Sequence, residues 1–143
     1  MNRQLLIFFG NPWSGMSYVA DILVRSFDYF SHNGDDDLPA PMKELLLQKG
    51  TITDTMRKAF ATNMVAALRK LSKKHDKLVV HQTFLKEFMR LQILDAFPFT
   101  KFILIEADDA IREKRYLARE YFNLGLLYLR HMKPDVNAIH NGA

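Results

Sequence analysis

Short apolar runs recur along this chain, separated by segments in which apolar residues have a helical spacing. The clearest runs are residues 5–9, 78–80 and 102–105, and a weaker one covers residues 136–139. The three clear runs are continuously apolar, which is typical of strands buried on both faces of a parallel sheet. The pattern therefore predicts three such strands and a last strand at residues 136–139.

The segment after the first run has the spacing of an amphipathic helix. From Ser14 onward, Val19, Ile22, Leu23 and Phe27 lie on one helical face, and the charged residues of the segment lie on the other. We expect these four apolar side chains to face the core.

Further helices are predicted between the later runs. Polar residues and prolines at positions 32–41 predict a turn and a loop. Helices are then predicted at residues 42–48 and 85–96. Between them, a long helix is capped by Asp54 or Thr55 and runs to Lys74, with Met64, Leu68 and Leu71 inside. A last helix begins at Asp108 and Asp109 and continues through Arg119 or on to His131.

Strands that alternate with helices indicate right-handed β-α-β crossovers. The predicted fold class is therefore α/β, a three-layer α/β/α sandwich around a parallel sheet. With 143 residues, the chain has the commonest size of one domain, and we expect a single domain over residues 1–143.

Composition narrows the possible classes of protein. Hydrophobic residues make up 48% of the chain, yet no apolar run approaches the roughly 20 residues that a membrane span requires. No signal-peptide pattern precedes the first strand, so we expect a soluble, cytoplasmic protein without membrane partners. The absence of cysteine excludes disulfide scaffolds, thiolate metal sites and cysteine nucleophiles.

The chain is basic, with a net charge of +4. This charge permits anionic partners but does not choose among them. Lysines and arginines are dispersed, and Lys73 and Lys74 are the nearest approach to a cluster, so the pattern does not favour nucleic acid. The sequence predicts no particular oligomeric state.

A candidate phosphate-binding loop joins the first predicted strand to the first predicted helix. Its residues are Gly10, Asn11, Pro12, Trp13, Ser14, Gly15, Met16 and Ser17, followed by Tyr18. They match the P-loop pattern G-x-x-x-x-G-K-[ST] except at Met16. Glycines let backbone amides curl around an anion, and the helix N-terminus adds partial positive charge. The hydroxyl of Ser17 is the expected ligand of a magnesium ion that bridges the terminal phosphates, which implies ATP and Mg²⁺ as cofactors.

Met16 stands where the pattern requires lysine. The lysine of a P-loop reaches the β and γ phosphates, whereas methionine has a similar length but neither charge nor hydrogen-bond donor. The loop could still bind nucleotide. We expect the transfer rate to fall by orders of magnitude unless another cation takes the place of the lysine, because electrostatic stabilisation dominates phosphoryl transfer.

Several later segments, taken in order, resemble those of the gluconate kinase and shikimate kinase family. They are Gly34-Asp35-Asp36-Asp37-Leu38-Pro39, Gly50, and Asp54-Thr55-Met56-Arg57. The resemblance implies a P-loop architecture like that of nucleoside monophosphate kinases, with a substrate-binding insertion at about residues 34–60. It also implies that Asp35 or Asp36 orients or deprotonates the substrate hydroxyl, that Asp36 assists the magnesium shell, and that Arg57 holds an anionic group of the substrate. The alternative is a solvated acidic turn and a surface arginine.

The same resemblance extends to the rest of the chain. The segment around His81, Gln82 and Arg90 is similar to the part of these kinases that lines the substrate pocket. The resemblance implies a lid at about residues 112–125. Within it, Arg115 and Arg119 match the lid arginines that neutralise the transferring phosphoryl group. The alternative is an exposed helix with internal ion pairs. Asn141 matches the start of the adenine loop, and we expect no C-terminal helix after it.

Two main hypotheses follow from these patterns. The first is an ATP-dependent kinase that phosphorylates a hydroxyl of a small, anionic metabolite, impaired by Met16. The alternative is a pseudokinase or a regulatory nucleotide-binding or phosphate-binding domain with little or no transfer activity. A basic adaptor for nucleic acid or protein on a kinase-like scaffold is a third, less favoured class. The sequence does not identify the substrate.

Overall fold

The computed structural model describes residues 3–11, 14–83, 85–111 and 114. Four strands, four α-helices and one short 3-10 helix are defined in this part of the chain, and residues 109–111 begin a further helix. In order they are β1 (Gln4–Gly10), α1 (Met16–Phe27), β2 (Phe30–Asn33), the acidic 3-10 helix (Gly34–Asp37), α2 (Ala40–Leu47), α3 (Asp54–Ser72), β3 (Lys77–Thr83), α4 (Glu87–Ala96) and β4 (Lys101–Leu104). The three strands predicted from the clear apolar runs are confirmed.

The four strands form one parallel sheet in the order β2-β3-β1-β4. Strand β1 lies in the interior between β3 and β4, with Ile7 opposite both Val80 and Phe102. A central strand that is covered on both faces must be apolar at nearly every position, which explains the continuous run at residues 5–9. The predicted α/β class with a parallel sheet is confirmed.

Helices cover both faces of the sheet. On one face, α3 and α4 close the main core over alternate strand residues such as Ile7 and Val80. On the other face, α1 packs over Phe8 and Val79. The main core contains Leu5, Ile7, Phe9, Met42, Phe60, Ala61, Met64, Leu68, Leu78, Val80, Leu85, Met89, Ile93 and Phe97. None of the described helices combines the length and the apolar character that a membrane crossing demands.

The buried face of α1 is narrower than its spacing predicts. Met16 and Ala20 are buried and Val19 and Leu23 are half-buried, all packed in the smaller core. The prediction was wrong for Ile22, which is 41% exposed, and for Phe27, which is 56% exposed. Positions 16, 20 and 23 form a narrow helical stripe, so position 22 lies beside the contact with the sheet and not within it.

Residues 30–33 form a strand that the sequence does not predict, because its last two residues, His32 and Asn33, are polar. They pair in register with Val80 and His81 of β3, so the strand owes its existence to a partner about fifty residues away. The residues predicted as a polar turn are therefore divided between β2 and the acidic 3-10 helix.

Two helix starts test the capping predictions. Helix α3 is capped by Thr53, whose side chain accepts a hydrogen bond from the amide of Met56, and not by Asp54 or Thr55. The Asp108 carboxylate accepts from the amide of Ile111 at 2.8 Å, as expected for the start of a helix. The predicted strand at residues 136–139 and the predicted lid, apart from Lys114, lie outside the described residues.

Candidate functional site

The carboxyl ends of the strands meet at one edge of the sheet. Gly10 at the end of β1 is paired with Thr83 at the end of β3, and Asn33 at the end of β2 is paired with His81. Ligands of open parallel sheets bind beyond this edge, where neighbouring connections leave in opposite directions. In this order that point lies between β1 and β3, which the loop after Gly10 flanks.

The loop from β1 to α1 requires glycine at both of its ends. Gly10 has a φ of 153°, and a Cβ at this position would collide with the carbonyl oxygen of Ile105. Gly15 has a φ of 103° and a ψ of 16°, the left-handed conformation that side chains disfavour. Both glycines of the P-loop pattern therefore have a structural reason.

The N-terminus of α1 has no side-chain cap among the described residues. Gly15 is its N-cap residue, and the first turn contains no acidic residue. The first backbone hydrogen bond of the helix joins the amide of Val19 to the carbonyl of Gly15 at 3.1 Å. The amides before Val19 are thus without intrahelical partners, and together with the helix dipole they favour an anion.

Two buried polar atoms in the same loop have no hydrogen-bond partner in the described part of the chain. They are the hydroxyl oxygen of Ser14 and the side-chain oxygen of Asn11. A buried polar atom without a partner is costly, so a ligand or water is expected beside them. The Ser14 hydroxyl can donate to a phosphate oxygen, whereas the Asn11 oxygen suits water or a cation.

Met16 belongs to the core of the protein. Its side chain is 7% exposed and packs in the cluster of Phe8, Ala20 and Val79. The side chain at position 16 therefore packs in the smaller core and provides no positive charge for an anion at the loop. Ser17 and Tyr18 are exposed in the first turn of α1, and Pro12 and Trp13 lie outside the described residues.

The acidic 3-10 helix, which carries Asp35 and Asp36, directly follows β2. In the sheet β2 is two strands away from β1, which ends at Gly10, and this separation is about 10 Å at the usual strand spacing. The side chain of Asn33 accepts a hydrogen bond from the amide of Asp35 at 3.0 Å. Asp35 is exposed when the whole residue is considered, but its carboxyl group is surrounded by protein. This burial raises the pKa of the carboxyl group, and a hydrogen bond from Gln82 partly offsets the increase.

Gln82 and His81 lie at the end of β3, beside the acidic 3-10 helix. The Gln82 side chain is buried and donates to the carbonyl of Thr83 at 3.1 Å, while its oxygen lies against Gly34 without a partner among the described residues. Burial lowers the pKa of His81, and the negative charge of Asp35 opposes that shift. The two candidate pocket residues are thus brought together with the acidic residues.

Arg57 and Arg90, the candidate substrate arginines, have different environments. Arg57 lies in the first turn of α3 and donates to the carbonyl of Ile52 at 2.9 Å and to Asp54 at 3.3 Å, so it braces the start of its own helix. The Arg90 guanidinium lies 4.8 Å from the centre of the Phe9 ring. Burial lowers the pKa of Arg90. Phe9 is the penultimate residue of β1, which places Arg90 at the carboxyl edge of the sheet.

A His–Asp pair that the sequence pattern does not predict lies in the same region. Nε2 of His32 is 2.7 Å from Oδ2 of Asp37, with side-chain exposures of 14% and 8%. The available signal was a histidine and an aspartate on either side of one predicted turn. Residue type alone does not identify the pair, because polar residues in a turn are usually solvated.

The remaining candidate residues lie elsewhere. Arg115, Arg119 and Asn141 fall outside the described residues. Within the described ranges, no group of three or more histidine, aspartate or glutamate side chains is arranged to hold a metal ion. A magnesium ion at Ser17 and Asp36 would therefore depend on phosphate oxygens and water for most of its ligands, which is usual for this ion.

A separate small recess lies at the other edge of the sheet. Its lining includes Gln4 and Leu78 at the amino ends of β1 and β3, together with Phe97 and Phe99. It does not reach the glycine loop, and none of the candidate residues lines it.

A sugar kinase from Janibacter sp., solved without ligand, aligns with 94% of this chain and 78% of its own, with a TM-score of 0.83 and 13% sequence identity. The chain has the P-loop kinase fold. A gluconokinase from Sinorhizobium meliloti aligns with a TM-score of 0.75 and 18% identity, over 94% of this chain and 75% of the gluconokinase. The structure of a Pnkp1/Rnl/Hen1 RNA repair complex aligns over 99% of this chain and 46% of the matched chain, with a TM-score of 0.69 and 15% identity.

No protein-family model matches the chain, and no curated protein does. The identities to the solved kinases are low enough that the likeness concerns the P-loop kinase fold alone. What the chain does with that fold depends on its own residues.

Proposed function

We propose that this chain binds MgATP and transfers a phosphoryl group to a hydroxyl of a small anionic metabolite, at a rate lowered by Met16. The observation that carries this proposal is the loop between β1 and α1. Its two glycines with positive φ lead to an uncapped helix N-terminus. This combination favours an anion such as a phosphate group.

The donor side of the proposed reaction would be arranged by the loop and the start of α1. ATP supplies the phosphoryl group, and Mg²⁺ offsets its charge. The amides before Val19 and the hydroxyl of Ser14 would hold phosphate oxygens. Ser17 is exposed in the first turn and would contribute a ligand to magnesium, with Asp36 approaching from the acidic 3-10 helix. Arg115 and Arg119 are proposed to neutralise the transferring group.

The acceptor side would lie beyond β2 and β3. A carboxylate whose pKa is raised, as that of Asp35 is, is better suited to take a proton from a hydroxyl near neutral pH. His81 and Gln82 would line the pocket. Arg90 is the stronger candidate for an anionic group of the substrate, because Arg57 is already hydrogen-bonded within the start of α3.

The packing of Met16 supports the alternative function, a nucleotide-binding domain with little or no transfer. Its side chain fills an apolar cluster and leaves the loop without a lysine. The variants Met16→Lys and Met16→Gln distinguish a kinase from a domain that only binds nucleotide. Lysine adds a positive charge at position 16, whereas glutamine has a similar length and adds only polarity. The ammonium of lysine would have to extend out of the cluster towards the phosphates.

The test combines calorimetry of MgATP binding with a phosphorylation assay on D-gluconate and on shikimate. We expect the unmodified chain to bind MgATP and to transfer slowly. Met16→Lys should increase the transfer rate by about 100-fold or more, and Met16→Gln should not, because only the lysine restores electrostatic stabilisation.

Binding without transfer in all three proteins would favour the regulatory alternative over the kinase. If the unmodified chain, shown to be folded by its unfolding transition, does not bind ATP, then both nucleotide functions are wrong. This conclusion does not depend on whether Met16→Lys folds.

A further inference from the structure

The His32–Asp37 pair encloses the turn that carries Asp35 and Asp36. His32 lies in β2, before the acidic 3-10 helix, and Asp37 is the last residue of that helix. Their 2.7 Å contact closes a ring of six residues. Because both side chains are largely buried, the contact is shielded from water, unlike most surface ion pairs.

Two more hydrogen bonds hold the same turn. The side chain of Asn33 accepts from the amide of Asp35, which secures the beginning of the acidic 3-10 helix. The side chain of Asn63, on α3, donates to the carbonyl of Asp37 at 3.0 Å, which secures its end. The turn is therefore tied to β2 at one end and to α3 at the other, with Asp35 and Asp36 between them.

Stability alone does not account for a largely buried His–Asp pair at this position. Burying polar or charged groups is costly, and an apolar pair of similar volume is often as stable or more stable. What an ion pair adds is a defined direction, because Nε2 and Oδ2 must face each other at hydrogen-bond distance. Here that direction sets the path of the chain between residues 32 and 37.

We propose that His32 and Asp37 are positioning residues that hold the carboxylates of Asp35 and Asp36 towards the phosphates bound at the glycine loop. This inference rests on the proposed function, since it assigns the pair to the same site. His32 and Asp37 touch neither nucleotide nor acceptor and act through the two exposed aspartates. Asp36 and His81 are the other charged or titratable groups near His32.

The Mg²⁺ dependence of ATP binding tests the position of the aspartates. Calorimetry with ATP would compare the unmodified chain, His32→Leu and His32→Gln, each with Mg²⁺ and with EDTA. We expect His32→Leu to reduce the gain in affinity due to Mg²⁺ by about tenfold, the effect of losing one well-placed charge-assisted contact, and to leave the affinity in EDTA unchanged. His32→Gln retains a donor near Nε2 and should recover most of the gain.

Leu68→Ala provides the matched control for stability. Leu68 is buried in α3 and lines the recess at the opposite edge of the sheet, so its replacement destabilises the protein without touching the turn. It should leave the Mg²⁺ dependence unchanged. If Leu68→Ala reduces the gain as much as His32→Leu does, or if His32→Leu keeps the full gain, the proposal is overturned.

Hydrogen exchange separates a failure of this proposal from a failure of the proposed function. If no form binds ATP, the proposed function is wrong. The hydrogen-exchange protection of the amides of Asp35 and Asp36 then still tests whether His32 and Asp37 hold the turn in place. Protection that is lost in His32→Leu and kept in His32→Gln supports the positioning pair. Equal protection in both variants contradicts it.

Discussion

At the scale of single residues, Gly10 and Gly15 connect the sequence pattern to the shape of the loop. Each has a positive φ, and Gly10 also lies against the carbonyl of Ile105 just after β4. Gly50 differs, because the one close approach of a methyl group there would be to the end of the flexible Leu45 side chain, and its other contacts with Leu45 would have ordinary van der Waals length. These two types of glycine respond differently to alanine.

Gly10→Ala should destabilise the protein by about 1–3 kcal/mol and weaken ATP binding, because the added methyl group strains the backbone and pushes against β4. Gly50→Ala is the control and should have a much smaller effect on both. Urea unfolding and calorimetry with MgATP measure the two quantities. Equal losses of stability in the two variants would contradict the role assigned to Gly10.

At the scale of elements, the start of α3 shows how a cap is chosen. Thr53, Asp54 and Thr55 all have side chains that can cap a helix, and three adjacent candidates cannot be ranked by residue type. In the structure Thr53 has extended dihedral angles, and its hydroxyl accepts from the amide of Met56 at 3.2 Å. The connection from α2, which approaches through Ile52, decides where the helix begins.

Thr53→Ala should lower the free energy of unfolding by about 1 kcal/mol, the usual value of an N-cap. Thr55→Ala removes the same atoms within the first turn of α3 and should change it by less than about 0.5 kcal/mol. Urea unfolding of both variants measures the difference. A larger loss for Thr55→Ala would mean that the helix begins later than residue 54.

At the scale of the whole molecule, the order β2-β3-β1-β4 brings distant segments to one edge. The glycine loop, the acidic 3-10 helix, the end of β3 and the start of α4 are separated along the chain by tens of residues. They meet because parallel strands place their carboxyl ends together. The assembly of the candidate site is thus a property of the topology.

His32 and His81 should give the stability of the molecule opposite dependences on pH. Mainly because of its hydrogen bond with Asp37, the pKa of His32 lies above the ordinary value of 6.5, whereas burial places the pKa of His81 below it. The stability due to His32 is therefore complete below pH 6.5 and is lost as the pH rises through the raised value. The stability due to His81 is present above pH 6.5 and is lost as the pH falls through the lowered value.

Unfolding of the unmodified chain, His32→Gln and His81→Gln between pH 5 and pH 9 checks these signs. Relative to the unmodified chain, His32→Gln should be most destabilised at low pH. His81→Gln should be most destabilised at high pH. Parallel stability curves for all three proteins would show that neither histidine titrates differently in the folded state.

Much of the candidate site follows from local pattern, and its geometry does not. The glycine loop is recognised from residues 10–17 because its strand, glycines and helix are consecutive. The pairing of His32 with Asp37, the bracing of Arg57 and the burial of Met16 are contacts, and residue type leaves several partners possible for each. The roles of the site residues stay predictions.

Local pattern in the sequence predicts β1, β3 and β4, most helix bounds and the place of the glycine loop, because apolar spacing and glycine act over a few neighbouring residues. Tertiary packing makes residues 30–33 a strand, turns Ile22 outward and brings His32 into contact with Asp37. These features depend on which surfaces meet when the chain packs, and local spacing contains no information about a partner fifty residues away.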